Sequence, residues 1–414
     1  MLTKTKSENK WWLTIFLAIL LLTEDFGTLF VFSVTQYIML ALFAILLLRH
    51  LFKEKTIKLP LSMLSLLLYM LAITLINKFN FDSITDFVYF CIALVTIYWL
   101  IKEIDDIETI ERVFYHITFI ISLIGIAQFV ANVFGFGELF DLNRIGISQR
   151  FTERYGFVTA LGVYTEPAHS APIMAWAVWV ALIGKEKNYN FVKLYKTIPI
   201  LLFSVLTQST MTLVTVFAVF AVYVFIYQKR LGKKMKYIVL GCLALAVIMA
   251  VNSDFIIGAV ARLRQFETIS TTTRNDLSAL ALVSNLNIAI EKMKDGYIFG
   301  TGFDSHQMYY DKYIAEIYGQ IIMAVNKEDC ASLYIRIFSE FGIIGFLIFV
   351  IVVVKNSLNL LRKEDRTRFV FIALFLIIIL RYGDYVNVVI LVSMVLAFFN
   401  PLTSRNEVVI KESV

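Results

Sequence analysis

Long apolar runs, separated by short charged stretches, are the feature that most constrains how this chain can fold. The run FGIIGFLIFVIVVV at residues 341–354 carries no charged side chain, and comparable runs recur along the chain. Hydrophobic residues make up 59% of the 414 residues and charged residues 17%, whereas soluble domains average about 45–50% and about 25%. The composition therefore predicts an integral membrane protein whose spans are α-helices.

The apolar runs predict an all-α polytopic fold with about twelve transmembrane helices. Two polar breaks, LTQSTMT at 206–212 and RYGDY at 381–385, divide stretches that would otherwise form single long helices. The first run begins at Trp11 without a small-residue cleavage site, which favours a retained helix over a signal peptide. The predicted spans are residues 11–27, 29–49, 59–77, 84–101, 113–134, 167–184, 197–208, 210–228, 237–257, 331–354, 369–382 and 385–400.

The loops that are rich in lysine and arginine predict the orientation. Because basic loops stay in the cytoplasm, this side and both termini are expected to be cytoplasmic. A loop at 135–166 and a larger loop at 258–330 are then expected to face outward, and TTTRNDLSALALVSNLNIAIEKMKDG (271–296) predicts a helix lying along the surface. The basic loops are residues 49–58, 185–196, 228–236 and 361–368.

Arginines are the notable charges on the predicted outward side. A planar guanidinium binds phosphate oxygens in bidentate fashion and stays charged beside apolar surface. Arg336 and Arg381 lie within or at the edge of apolar helices, where an ionisable group usually serves a function. For any one of these arginines, the alternative is a pair with a lipid headgroup or with a neighbouring acid. The candidates are Arg150, Arg154, Arg274, Arg336 and Arg381.

The stretch YTEPAHSAP at residues 164–172 puts an acid, two prolines and a histidine against the start of a span. Pro167 suits the first turn of a helix, so Glu166 is expected at or near its N-cap. Glu166 beside a cationic pocket could act as a base for an acceptor hydroxyl, and His169 could share its face. The alternatives are that Glu166 only caps the helix and that His169 is a structural hydrogen-bonding partner.

Two further stretches contain candidate residues. GYIFGTGFDS at residues 296–305 is a glycine-rich turn with Asp304, and His306 follows directly. Its GTG is too short to be assigned as a phosphate loop, and ordinary turn formation is the alternative. Residues 331–350 open an apolar helix with Arg336 and Glu340 four residues apart, which could equally be a structural pair buried between helices.

In their order and spacing, four segments resemble the O-antigen polymerase and ligase superfamily of bacterial envelope glycosyltransferases. Members of the ligase branch typically have a His-Asn pair at the start of the helix where this chain has Ala331 and Ser332, so the resemblance favours a polymerase. The four segments are RYGFVTALGVYTEPAHSA (154–171), LTQSTMTLV (206–214), IFGTGFDS (298–305) and LYIRIFSEFGIIG (333–345).

The resemblance implies an enzyme of the bacterial cytoplasmic membrane whose active site faces the periplasm. Because no Asp or Glu cluster with metal-ligand spacing stands on that side, the enzyme is expected to be metal-independent. It would transfer a growing glycan from undecaprenyl diphosphate to the non-reducing end of a lipid-linked repeat unit, without a cofactor. Glu166, Arg154 and Arg336 are then expected to be catalytic. Substrate binding is expected of Arg150, Arg274, Arg381, His169, Asp304 and His306. Membrane lipids, a chain-length regulator and a flippase are the expected partners.

Other functions fit the sequence less well. A ligase that transfers finished polymer to a lipid core is the alternative within the superfamily. A flippase for the same lipid-linked unit would usually have two repeated halves and charges deep in the membrane, whereas the halves here are dissimilar. The net charge of +6 is better explained by basic cytoplasmic loops than by nucleic-acid binding, and no metal-ligand spacing occurs among the acids or cysteines.

Overall fold

The computed structural model confirms an all-α polytopic architecture. Thirteen α-helices lie within the described part of the chain, together with two short antiparallel pairs of two-residue strands. The structure describes residues 11–26, 28–29, 32–54, 59–76, 81–145, 149–151, 153–154, 157–227, 277–318, 326–363, 365–380, 382–399 and 401–402.

The helices follow the apolar runs closely. Every predicted span except 237–257, which is outside the described residues, coincides with a helix, although the ends differ by up to eight residues, as where the span predicted at 331–354 continues to Arg362. In chain order the helices are α1 (Trp11–Leu22), α2 (Val34–Arg49), α3 (Leu61–Ile76), α4 (Phe81–Ile104), α5 (Ile107–Val133), α6 (Ala171–Ile183), α7 (Leu194–Leu206), α8 (Thr210–Tyr227), α9 (Leu277–Lys294), α10 (His306–Tyr318), α11 (Leu333–Arg362), α12 (Arg366–Ile379) and α13 (Val388–Met394).

Short irregular elements join these helices. The strand pairs are β1 (Thr28–Leu29) with β2 (Phe32–Ser33), and β3 (Glu153–Arg154) with β4 (Phe157–Val158). Three 3-10 turns span Gly137–Phe140, Leu142–Ile145 and Pro167–Ser170, and π-helical turns span His50–Glu54 and Val395–Phe399.

Four of the described helices are long and apolar enough to cross a bilayer, namely Val34–Phe52, Asp82–Ile104, Ile107–Val133 and Leu333–Arg362. Six more are apolar but shorter: Trp11–Leu22, Leu61–Ile76, Pro167–Ile183, Leu194–Leu206, Met211–Tyr227 and Val388–Phe399. Short apolar helices are tolerated where their ends are buried in protein or border a polar cavity.

Helix α6 lies at the centre of the bundle. Nearly all of its side chains are buried, as expected of a helix that is apolar on every face. Trp176 stacks on Phe114 of α5 and Phe371 of α12, with ring centroids 4.5 and 5.4 Å apart, and its indole N–H donates to Ser393. This core fixes α5, α12 and α13 around α6 and so positions the loops at their ends.

The two polar breaks occur where they were predicted. Helix α7 ends at Leu206 and α8 begins at Thr210, and Gln208 between them has a φ of 49°. Helix α12 ends at Ile379, and α13 begins at Val388 behind Asn387, whose side chain caps the Ile390 N–H. Each break between helices therefore coincides with the polar stretch that predicted it.

Helix α11 contains a sharp kink. Its thirty residues are interrupted at Gly342, whose φ of 67° and ψ of −175° are open to glycine but not to other residues. The kink separates the first part, which contains Arg336 and Glu340, from the long apolar remainder. In the first part, Ser339 contacts Lys292 of α9 and His306 of α10.

Candidate functional site

A cavity of about 260 Å³ lies where several helices end. Its lining is strongly acidic, and among the described residues Arg336 is the basic side chain that reaches it. Asp86 and Asp384 are exposed to solvent, so the cavity is open on one side. The carboxyl side chains that line it are Glu24, Asp25, Asp86, Asp304 and Asp384.

Segments from distant parts of the chain assemble the cavity. The turn after α1 supplies Glu24 and Asp25, and the Glu24 carboxylate accepts a 2.8 Å hydrogen bond from the Val388 N–H at the start of α13. The start of α2 is held by a capping box in which Ser33 and Gln36 bond reciprocally, and both line the cavity. The cavity is therefore built on helix ends whose backbone groups are already paired.

Arg336 is fixed by three acceptors on three segments. Its Nε donates to Glu340 Oε1 at 3.0 Å, Nη1 donates to the Gly383 carbonyl at 3.0 Å, and Nη2 contacts Asp304 Oδ1. Its guanidinium carbon lies 4.5 Å from the centre of the Tyr385 ring, and the Tyr385 hydroxyl donates to Glu340 Oε2. Arg336 and Glu340 therefore form the buried pair that was one of the two readings of the sequence. Two of the five N–H bonds of the Arg336 guanidinium have no partner within the described residues.

The glycine-rich turn packs against the kink of α11 and forms hydrogen bonds with it. The N–H groups of Thr301 and Gly302 both donate to the Glu340 carbonyl at 2.8 Å, which the kink leaves without a helical partner. The backbones of Gly300 and Gly342 are in contact. A Cβ on Gly342 would lie 2.4 Å from the Gly300 nitrogen and 2.0 Å from the Ile298 carbonyl oxygen. These backbone N–H groups are therefore occupied, and the turn's contribution to the cavity is Asp304.

Asp304 sits between an arginine and other carboxyl groups. Burial raises the pKa of its carboxyl to about 8; Arg336 opposes this rise, while Glu340 and Asp86 add to it. Its φ of 52° is unusual for a residue other than glycine. The turn between Gly302 and α10 therefore places a carboxyl group whose charge changes near neutral pH beside the cavity arginine.

His306 belongs to a buried polar network behind the turn. It is fully buried, with Nδ1 2.7 Å from Ser339 Oγ and Nε2 2.8 Å from Asn285 Oδ1. Lys292, also fully buried, donates to Ser339 and to Thr301. Burial, with Lys292 and Arg336 nearby, holds the pKa of His306 well below its usual range, so the imidazole is neutral. Both of its nitrogens are engaged away from the cavity.

Glu166 lies away from the cavity lining. It occupies the N-cap position of the turn Pro167–Ser170 but makes no side-chain cap hydrogen bond. Its carboxylate instead pairs with Arg150 at 3.2 Å, and the Arg150 side chain is 76% exposed. Arg150 also donates its backbone N–H to the Thr165 carbonyl, which ties the 149–151 segment to this turn.

His169 contacts Asp25, a residue that the sequence did not single out. Asp25 Oδ2 lies 2.9 Å from His169 Nδ1 and accepts from the backbone N–H and the hydroxyl of Thr165 at 2.8 and 3.0 Å. Burial on its own would raise the pKa of Asp25, but the bonds from His169 and Thr165 lower it below its usual value. The His169 ring also meets the edge of Tyr382, with centroids 5.3 Å apart.

Three of the predicted arginines are not placed as side chains. Arg274 and Arg381 lie outside the described residues, and Arg154 is described only as backbone, in the strand that pairs with Phe157. Their expected roles remain predictions. In the part of the chain that is described, no group of three or more His, Cys, Asp and Glu side chains is arranged to hold a metal ion.

The acids that sequence reasoning missed had weak signals. Glu24 and Asp25 stand in TEDFG, at the end of the first predicted span, and Asp86 stands near the start of α4. Charged residues at the ends of spans are usually solvated, so only their convergence on one cavity makes them notable. Asp384 lies in the RYGDY break, three residues after Arg381, where pairing with a neighbouring arginine is the ordinary expectation.

A family model described as O-antigen ligase matches residues 197–350. The match supports placing the chain in the O-antigen polymerase and ligase superfamily. It covers a little over a third of the chain and includes Asp304 and Arg336 of the cavity. With the apolar helices, it indicates a bacterial inner-membrane enzyme of the ligase and polymerase type, and leaves the choice between these two activities open. No curated protein matches the chain in sequence.

Proposed function

We propose that this chain is a polysaccharide polymerase. It transfers a growing glycan from undecaprenyl diphosphate to the non-reducing sugar of a lipid-linked repeat unit, as in the synthesis of O-antigen or a similar surface polysaccharide. The observation that carries the proposal is the open cavity in which Arg336 and Asp304, from the segment matched to the family, meet carboxyl groups of α1–α2 and α12–α13.

The position of the cavity supports an outward-facing site. Gln36 and Asp86 line it at the beginning of α2 and α4. The pair Arg49–Glu103 joins the opposite ends of these two helices, where basic loops were predicted to be cytoplasmic. On this basis the cavity faces the periplasm, both termini are cytoplasmic, and the apolar helices around it are in contact with membrane lipids and the lipid carrier.

The chemistry of the lining suits a sugar acceptor. Carboxylates accept hydrogen bonds from sugar hydroxyl groups, and tyrosine hydroxyls both accept and donate them. A neutral sugar also enters the cavity without the cost of desolvating a charge. A diphosphate is repelled by the same acids, so its place is beside the N–H bonds of Arg336 that have no partner among the described residues, or along Arg150, Arg154, Arg274 and Arg381. Arginine stabilises the charge that develops on the leaving diphosphate as the anomeric bond breaks.

Ligase activity is the second candidate, because the matched family carries that description. The two activities differ only in the acceptor, which is a lipid-linked repeat for a polymerase and a lipid core for a ligase. In the resembling ligases a His-Asn pair begins the helix that begins here with Ala331 and Ser332. This departure favours the polymerase, which would work beside a flippase and a chain-length regulator.

Reconstitution tests the proposal directly. The purified chain in vesicles is given lipid-linked repeat units extracted from host cells that lack it, in the presence of a chelator. We expect a ladder of lipid-linked oligomers on a gel, because arginine can stabilise the charge of the leaving diphosphate. Transfer that requires an added lipid A–core acceptor would establish a ligase. Movement of the lipid across the bilayer with neither product would overturn the enzyme assignment.

A further inference from the structure

The contact between Asp25 and His169 fixes the tautomer of the imidazole. Asp25 Oδ2 is an acceptor, and Thr165 gives its own hydroxyl proton to that oxygen at 3.0 Å. The atom of His169 that faces both groups is Nδ1, at 2.9 Å from each. Nδ1 therefore carries the ring proton and donates it to Asp25, which leaves a lone pair on Nε2.

Nε2 is the available end of this ring. Within the described residues it has no hydrogen-bond partner, and the His169 side chain is 32% exposed. Asp25 and Tyr382, which flank the ring, both line the cavity. His169 adjoins the cavity through these two residues without lining it. An imidazole whose Nδ1 is held by a carboxylate of the cavity lining, and whose Nε2 carries a lone pair, is arranged for proton abstraction.

We propose that His169 is the general base of the transfer and that Asp25 positions it; this assignment rests on the proposed function. His169 Nε2 takes the proton from the acceptor sugar hydroxyl while that oxygen bonds to the anomeric carbon of the donor glycan. The bond between the anomeric carbon and the diphosphate oxygen breaks, and its electron pair leaves with undecaprenyl diphosphate. The imidazolium then returns its proton to water or to the released diphosphate.

This assignment replaces Glu166 as the base. The Glu166 carboxylate is bonded to Arg150, so it would have to leave an ion pair to act, whereas His169 Nε2 has no such partner within the described residues. His306 is excluded because both of its ring nitrogens are bonded and the side chain is fully buried. His116 lies beside Lys196, toward the end of α5 that is remote from the cavity.

The charges that face His169 favour its protonated form during the reaction. Asp25 approaches from the turn after α1, Glu166 from the preceding residues, and Asp329 from the segment before α11. Tyr382 contributes its ring from the segment after α12. No basic side chain within the described residues contacts the imidazole, so three acids and a neutral ring surround the group that takes up the proton.

Substitutions test whether His169 acts as the base or has only a structural role. In vesicles supplied with the extracted lipid-linked repeats, His169→Gln is expected to lower kcat about 10²–10⁴-fold with little change in the acceptor KM. The variant should also lose the fall in kcat at low pH that protonation of His169 causes in the wild type. Asp25→Asn is expected to lower kcat and to move that fall to lower pH. His116→Gln, which changes another half-buried histidine at the far end of α5, is expected to behave as the wild type.

Chemical modification gives a readout that needs no substrate. Diethyl pyrocarbonate reacts with a free imidazole lone pair, so mass spectrometry should find His169 modified and His306 unmodified. Loss of activity should follow modification of His169 at the same rate. Failure of His169 to react, or full kcat in folded His169→Gln, would overturn the assignment of the base alone. A wild-type protein that makes neither polymer nor ligated product would overturn the proposed function and the base together.

Discussion

Arg336 illustrates how one residue can be both structural and part of a site. Its side chain is 7% exposed, and the two carboxylates that it contacts are 0% and 11% exposed. Charges so well removed from water are stable only while each retains its partner. The residue that the sequence marked as an unusual charge in an apolar helix therefore joins three segments at the cavity.

Removal of this arginine is expected to destabilise the fold. Arg336→Ala leaves Glu340 buried without its cation, which should cost about 3–5 kcal/mol of the free energy of unfolding. Arg112→Ala is the matched control, because Arg112 and Glu108 form a pair with the same four-residue spacing on an exposed surface. That substitution should cost less than about 1 kcal/mol. Denaturation of both variants in detergent checks the difference, and equal losses would contradict it.

At the scale of elements, the kink of α11 and the glycine-rich turn depend on each other. The kink frees the Glu340 carbonyl, and the turn satisfies it with two backbone N–H groups. Because Gly300 and Gly342 meet without side chains, the turn can approach closely enough to bring Asp304 to Arg336. The glycines of this motif thus serve a contact between a loop and a helix.

Gly342→Ala tests this contact. Alanine there combines a disfavoured backbone conformation with a Cβ 2.0 Å from the Ile298 carbonyl, so a loss of about 2–4 kcal/mol in unfolding free energy is expected. Gly296→Ala is the control, since its φ is +92° but no atom lies within 4 Å of its Cβ. The control isolates the conformational cost, which should be about 1 kcal/mol. Thermal unfolding in the same detergent measures the difference in stability between the two variants. Equal losses would mean that the turn moves away from the new side chain at little cost.

At the scale of the whole molecule, the cavity depends on parts of the chain that are far apart. The segment matched to the family contributes Phe303, Asp304 and Arg336, whereas the other lining residues come from before residue 90 or after residue 381. The hydrogen bond from Val388 to Glu24 joins the two ends of the bundle directly. The stability of this assembly should therefore respond to charges buried between its parts.

Lys292 makes this stability depend on pH. Burial lowers the pKa of its ammonium group from 10.5 to about 8, against a smaller opposing effect of Glu340. Below pH 8 the lysine is charged in both states, and the folded state bears the full cost of burying the charge. Between about pH 8 and 10.5 the folded state releases its proton while the unfolded state keeps it. Stability should therefore rise with pH across this window, by up to about 3 kcal/mol.

Lys292→Met removes this contribution. The variant should gain less stability than the wild type between pH 7.5 and 10, as measured by thermal unfolding in detergent at each pH. Lys294→Met is the matched control on the same helix, because Lys294 is 64% exposed and pairs with Glu291 at the surface. Its profile should run parallel to the wild type. Parallel profiles for all three proteins would mean that Lys292 is hydrated or paired when the chain is in detergent.

The sequence by itself determined the helices and their breaks. Apolar runs of the right length can satisfy their backbone only as helices in a membrane, and the polar stretches at 206–212 and 381–385 interrupt them. It also marked Arg336, Asp304 and His169, because charged and polar groups beside apolar spans are rare. These conclusions depend on neighbours along the chain, which the sequence contains.

Only the tertiary structure decided which of these groups share a site. Asp25 and His169 are 144 residues apart, and their contact depends on how the bundle brings the turn after α1 to the turn before α6. The same packing engaged both nitrogens of His306 in a buried network and left Glu166 paired with Arg150. A side chain acquires its partners from the three-dimensional packing of distant segments, and a single sequence carries no local pattern from which that packing can be derived.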